Sequence, residues 1–112
     1  MKKHILKYIE LNPDIGYHDL CKVFGVSLDN LFKLLNINNY KIKDKYIIIY
    51  NANGNEIYEE PPNGGWVKRK YDNNGNETYN EYLGGDWYKW EYEYDINGNI
   101  IKEEHSDGNK KK

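Results

Sequence analysis

Cysteine is almost missing: Cys21 is the single one, so no disulfide can close within the chain, and a cross-linked secreted scaffold is excluded. Long apolar runs are missing as well. No segment approaches the roughly 20 apolar residues of a membrane-spanning helix. The opening "MKKHILKYIELN" is charged at both ends and lacks the apolar stretch of a signal peptide. A cytoplasmic protein without a membrane partner is therefore expected. Arginine occurs once, at Arg69, against fifteen lysines, and with the many Asn, Ile and Tyr this suggests an AT-rich coding sequence. What abounds is tyrosine: twelve of 112 residues, within an aromatic share of 15%. Disordered chains are poor in aromatics, so a folded unit is expected despite a mean hydropathy of −1.00. A chain of this length hides about 65% of its surface on folding, enough for a modest core.

Charge is unevenly placed. Residues 1–49 carry eight Lys and five acids, net +3, whereas residues 50–109 carry five bases and thirteen acids, net −8. Such a split points to two surfaces with different jobs. A segment 1–40, a segment 41–109 and a basic tail 110–112 follow from it and from the residue patterns.

Within residues 1–40, Ile5, Leu6 and Ile9 recur at helical spacing until "NPDIG" breaks the pattern, since the residue before Pro avoids the α region. A second helix is expected over Tyr17–Phe24, with Gly25 taking the tight turn after it. Ser27 is placed to cap a third helix, Leu28–Leu35, with Asp29 in its first turn. The stretch "YHDLCKVFGVSLDNLFKLLN", through Leu20, Cys21, Phe24, Gly25, Val26, Leu31 and Leu34, resembles the helix-turn-helix family. The resemblance implies that the third helix enters a DNA major groove. Lys22, Asn30, Lys33 and Asn36 are then the DNA-binding candidates, with Asp29 at the leading end.

Residues 41–109 repeat. Gly54, Gly75 and Gly98 recur at spacings of 21 and 23, and Trp66 and Trp87 at 21. A period in the low twenties is that of stacked β units. Asn-Gly at 53–54, 63–64, 74–75 and 97–98, Asp-Gly at 107–108 and Gly84-Gly85 mark turns, the Asn-Gly pairs reading as hairpins with positive φ at both residues. Strands are expected near 45–50, 56–60, 66–71, 77–83, 87–94 and 100–105, forming an antiparallel meander of about six strands. Along the longest, Tyr88, Trp90, Tyr92 and Tyr94 alternate with Trp87, Lys89, Glu91 and Glu93, so one face is aromatic and the other mixed and charged. The helices are expected to cover the aromatic face. Lys68–Lys70 and Pro61-Pro62 read as features that discourage edge pairing.

The words "KYDNNGN" and "YEYDINGNI", each preceded by a Gly-rich turn and a Trp, resemble the YD-repeat family and MORN-like variant repeats. The resemblance implies a β-meander scaffold and carries no catalytic residue.

Candidate chemistry is sparse. "DNNGNE" and "DINGN" have Gly at the fourth position, not the sixth that an EF-hand loop requires, so Asp72 and Asp95 are expected to hold turns and not calcium. Cys21 fits a core slot, and His4, His18 and His105 share no metal-ligand spacing with it. No nucleophile elbow, phosphate loop or zinc pattern is present. No catalytic residue, metal or cofactor is expected.

The sequence thus predicts an α+β chain, a three-helix unit followed by an antiparallel meander. Its expected role is a non-enzymatic protein-binding inhibitor or adaptor of phage or mobile-element type, anti-CRISPR-like. It would act through an acidic aromatic β surface on a nucleic-acid-handling host protein, with Glu81, Asp86, Trp87, Glu91 and Glu93 as contacts. The alternative is a small helix-turn-helix transcriptional regulator that binds DNA. A homodimer stays open under both, and a structural or adhesive repeat fragment is a third class.

Overall fold

The computed structural model describes residues 1–110, so Lys111 and Lys112 of the basic tail lie outside the described residues. Three helices come first: α1 (Lys2–Leu11), α2 (Tyr17–Phe24) and α3 (Leu28–Leu34). Gly25 ends α2 at φ 65°, a left-handed value that a residue with a side chain rarely adopts. Ser27 caps α3, its hydroxyl accepting the Asn30 N–H at 3.2 Å. Ile5, Leu20 and Leu31 meet in a fully buried cluster that holds the three helices together, with Cys21 packed against it.

Seven strands follow in one antiparallel sheet, ordered as in the chain: β1 (Tyr40–Lys43), β2 (Tyr46–Tyr50), β3 (Glu56–Glu60), β4 (Val67–Tyr71), β5 (Glu77–Tyr82), β6 (Asp86–Tyr94) and β7 (Ile100–Asn109). The expected count of six was short by β1. Its hairpin to β2 turns on Asp44 and Lys45, at φ 51° and 66°, a two-residue loop without the Asn-Gly signal.

The repeat has a physical meaning. Asn51, Asp72 and Asp95 each hold a hairpin loop in the same way: the side-chain oxygen accepts two backbone N–H groups, two and four residues on, at 2.9–3.0 Å. The glycine of each loop is left-handed, at φ 84°, 82° and 83°, whereas the Asn before it is not. The loops are therefore type I turns closed by a left-handed Gly, not turns with two positive φ values. Each follows a register shift at the preceding Tyr, at Tyr50, Tyr71 and Tyr94. Tyrosines of the following strand brace the first two loops across the sheet: Tyr71 donates to the Glu56 carbonyl at 2.7 Å, and Tyr92, two residues before Tyr94, to the Glu77 carbonyl at 3.0 Å.

Two further expectations change. Asp107-Gly108 is no turn but part of β7, opposite Tyr88 and Trp87. The Trp87 ring crosses that position so closely that a Cβ on Gly108 would sit 2.7 Å from it. Lys68–Lys70 lies in the interior strand β4, and Pro61-Pro62 in the β3–β4 turn, so neither guards an edge. The edges are β1, short and bearing Lys41 and Lys43, and the charged β7.

The helices cover only the first half of the sheet. Phe32 of α3 packs with Ile47, Ile49, Tyr58 and Trp66 in the second buried cluster. The later strands extend as a single layer, and the radius of gyration is 16.2 Å against about 13 Å for a compact chain of this length. No helix among the described residues is long and apolar enough to cross a membrane.

Candidate functional site

Cross-strand partners share a face, so the register sorts every strand residue. On the helix side lie Ile47, Ile49, Tyr58, Glu60 and Lys68, then Tyr79, Glu81, Trp87, Lys89, Glu91 and Glu93. On the outer side lie Glu59, Arg69, Asn80 and Tyr82, then Tyr88, Trp90 and Tyr92 with Asp107, His105 and Glu103 opposite them. The aromatic stripe of β6 therefore faces away from the helices. The expectation that the helices cover it is overturned, because the apolar residues of β2 that receive α3, Ile47 and Ile49, point the other way.

The outer face of β5–β7 is a connected aromatic surface. Tyr88 and Trp90 each stack with His105, at ring separations of 6.2 and 5.4 Å, and Tyr82 meets Tyr88 edge-on at 6.0 Å. Tyr94 donates a hydrogen bond to the Asp72 carboxylate and Tyr92 packs beside it, rings 6.2 Å apart. Of these rings Tyr82 and His105 are exposed and the others half-buried. Glu77, Asp86, Glu103 and Asp107 surround the aromatics, and the lysines of these strands, Lys89 and Lys102, register to the other side. The arginine of this face is spent within it: Arg69 reaches Glu59 at 2.6 Å and Glu77 at 3.8 Å. Burial alone would raise the Glu59 carboxyl, but the Tyr46 hydroxyl and the Arg69 guanidinium outweigh it and hold the group below the usual carboxylate range.

On the helix side, Glu60 is wholly buried and its carboxylate receives three donors: the Tyr17 N–H at 2.7 Å, the His18 N–H at 3.0 Å and the Tyr58 hydroxyl at 2.5 Å. These N–H groups open α2, whose N-cap, Gly16, has no side chain to offer. Glu60 supplies the cap from the sheet and places a negative charge at the positive end of the helix. Burial first, and the Glu60 charge second, push the Tyr17 phenol up, and burial with the hydrogen bond to Glu60 pushes Tyr58 far above the usual tyrosine range. The Trp66 indole donates to the Asp14 carbonyl at 2.8 Å and ties the loop before α2 to the sheet. The sequence reading missed Glu60; its signal was a carboxylate at an apolar-alternation position of β3, inward between Tyr58 and Trp66.

Of the expected protein contacts, Asp86 alone belongs to the outer face, where it accepts Asn109 at 2.5 Å. Glu81, Trp87, Glu91 and Glu93 share the helix-side face, beyond the helices. Glu81 accepts the Tyr79 hydroxyl at 2.8 Å and the Lys110 ammonium at 2.6 Å, and Glu91 pairs with Lys89 at 3.0 Å. Burial would raise Glu81, but Lys110 and Tyr79 bring it below the usual range.

The four DNA candidates are all exposed. Lys22 lies 4.0 Å from Asp19, and Asp29 is taken by the Tyr40 hydroxyl at 2.7 Å. Asn36 lies past the end of α3, at φ 59°. The helix is two turns long and sits between the helical core, through Leu31, and the sheet, through Phe32. Cys21 lies beside that helical core, and burial and Glu60 push its thiol up, away from a reactive thiolate. Among the described residues no group of three or more His, Cys, Asp or Glu could hold a metal ion. No family model, curated protein or solved structure matches the chain.

Proposed function

We propose that this chain is a non-enzymatic protein-binding inhibitor or adaptor that works through the outer face of β5–β7. The observation that carries the reading is the Tyr88–Trp90–His105 stack, on the face turned away from the three helices and surrounded by Glu77, Asp86, Glu103 and Asp107. Half-buried aromatics offer large contact area at little cost in side-chain entropy, and such residues anchor protein interfaces. An acidic surround selects a basic partner and repels nucleic acid. A surface of this chemistry suits the basic channel of a nucleic-acid-handling enzyme, where carboxylates take the place of phosphates. A repeat-built sheet and AT-rich composition fit a phage or mobile-element product, and the concrete form of the proposal is an anti-CRISPR-like inhibitor. The helical unit then serves to hold the sheet, and Lys22, Asn30, Lys33 and Asn36 are solvated surface.

The test is transformation of cells that carry an active RNA-guided nuclease with a targeted plasmid. Wild-type protein should restore transformation, and Tyr88→Ala with Trp90→Ala should not. No restoration across a panel of such nucleases overturns the inhibitor. Mixed double-stranded DNA, followed by anisotropy, should show no binding at low salt. Salt-sensitive binding lost in Lys22→Glu with Lys33→Glu would establish the DNA-binding regulator instead.

A further inference from the structure

The sheet builds one cradle twice. Tyr58, Glu60 and Trp66 recur 21 residues later as Tyr79, Glu81 and Trp87. The geometry recurs with them. Tyr58 stacks on Trp66 at 6.4 Å with 27° between planes, and Tyr79 on Trp87 at 6.5 Å with 19°. Each tyrosine hydroxyl donates to the glutamate two residues on, at 2.5 and 2.8 Å. Both sets lie on the helix side of the sheet.

Their coverings differ. Over the first cradle stands the N-terminus of α2, with the Tyr17 and His18 N–H groups on Glu60 and the Asp14 carbonyl on the Trp66 indole. Over the second no helix stands among the described residues: Trp87 is half-buried where Trp66 is 1% exposed. An open groove of about 780 Å³ leads from Tyr17 and Tyr58 past Lys68 to Tyr79, Glu81 and Lys110. On Glu81 the Lys110 ammonium stands where a helix N-terminus stands on Glu60.

We infer that the Tyr79–Glu81–Trp87 cradle is a second docking site, and that it takes the N-terminus of an α-helix, entered through glycine, from a partner protein. The occupant is fixed by the filled copy. A carboxylate flanked by a stacked Tyr–Trp pair accepts two consecutive helix N–H groups and complements the positive end of the helix dipole. Glycine is favoured at the N-cap because a Cβ on Gly16 would lie 2.7 Å from Oε1 of Glu60, whose buried carboxylate is held by three donors. The chain's own α2 is committed to Glu60, so a second copy has no such helix end free. Lys110 is displaced at small cost, since its side chain is 56% exposed and such pairs contribute little. This site lies on the opposite face from the aromatic surface of the proposed function and does not rest on it.

The probe is a hydrocarbon-stapled helical peptide with the sequence of residues 12–24, added to the full chain and followed by amide and indole NMR shifts. A staple removes the folding cost that leaves so short a helix unbound. Shifts at Tyr79, Glu81 and the Trp87 indole are expected, with a dissociation constant of about 0.1–1 mM. Glu81→Ala should weaken binding at least tenfold, as should a peptide with Val in place of the glycine, which needs no altered protein. Absence of these shifts at about 1 mM peptide, or equal binding by the Val peptide, overturns the inference. Shifts confined to the surroundings of Glu60 overturn it as well, because they would mean exchange at the first cradle.

Discussion

Replacing Glu60 by alanine strips three donors of their acceptor in a site closed to water. The Tyr17 and His18 N–H groups lose the cap of α2, and the Tyr58 hydroxyl loses its buried partner. A hydrogen bond to a charged group contributes about 1.5–3 kcal/mol, and a lost cap about 1 kcal/mol. Partial entry of water into the space left behind reduces the sum, so a loss of about 3–5 kcal/mol is expected. A chain of this size has about 6–17 kcal/mol in total, so the variant should fold with its transition lowered by about 12–20 °C. Glu81→Ala is the control, because the same position one repeat later caps no helix: its carboxylate meets the Tyr79 hydroxyl and a half-exposed lysine, so a smaller loss of about 1–2 kcal/mol is expected. Urea unfolding followed by far-ultraviolet circular dichroism gives both numbers. A Glu60→Ala loss below about 1 kcal/mol, or no larger than that of Glu81→Ala, refutes the cap from the sheet.

Three further outcomes follow from the same structure. Gly108→Val drives a side chain into the Trp87 ring and should cost about 1–3 kcal/mol, visible as a lower urea midpoint and altered tryptophan fluorescence. Trp66→Ala should cost about 3–5 kcal/mol, whereas Trp90→Ala on the outer face should cost less than half as much in the same unfolding assay. Acid and alkali should both weaken the fold. Glu59 and Glu81 are held below their usual range, so their contribution is full above the unfolded value near about pH 4 and is lost as pH falls further. Tyr58 and Tyr17 are raised, so theirs is full below about pH 10 and is lost as pH rises beyond it. Urea midpoints at neutral, acidic and alkaline pH check both signs.

Much of the fold was legible along the chain. The spans of α2 and of β3 were read from local spacing, and the ends of α3 and β2 fell within one residue. The loops of Asn51, Asp72 and Asp95 stood out because an Asx side chain and a glycine are what such turns need. β1 escaped because Asp44 and Lys45 adopt positive φ without a sequence signal. Asp107-Gly108 misled because the glycine serves the Trp87 ring and not a turn. The candidate site was half legible. Period-two alternation separated Tyr88, Trp90 and Tyr92 from Trp87, Glu91 and Glu93, but could not say which set the helices cover.

The sequence by itself determined the element types, the repeat and the division of β6 into an aromatic and a charged face, because these depend on residues near one another in the chain. Only the tertiary structure decided which face stays open. The β2 run "YIIIY" is apolar on both sides, so its pattern permits α3 to dock on either. The choice is made at a distance, by Glu60 capping α2 across 43 residues and by Trp66 reaching Asp14 across 52. Those contacts place the helices on the side of Ile47, Ile49 and Tyr58 and leave Tyr88, Trp90 and His105 turned to the outside.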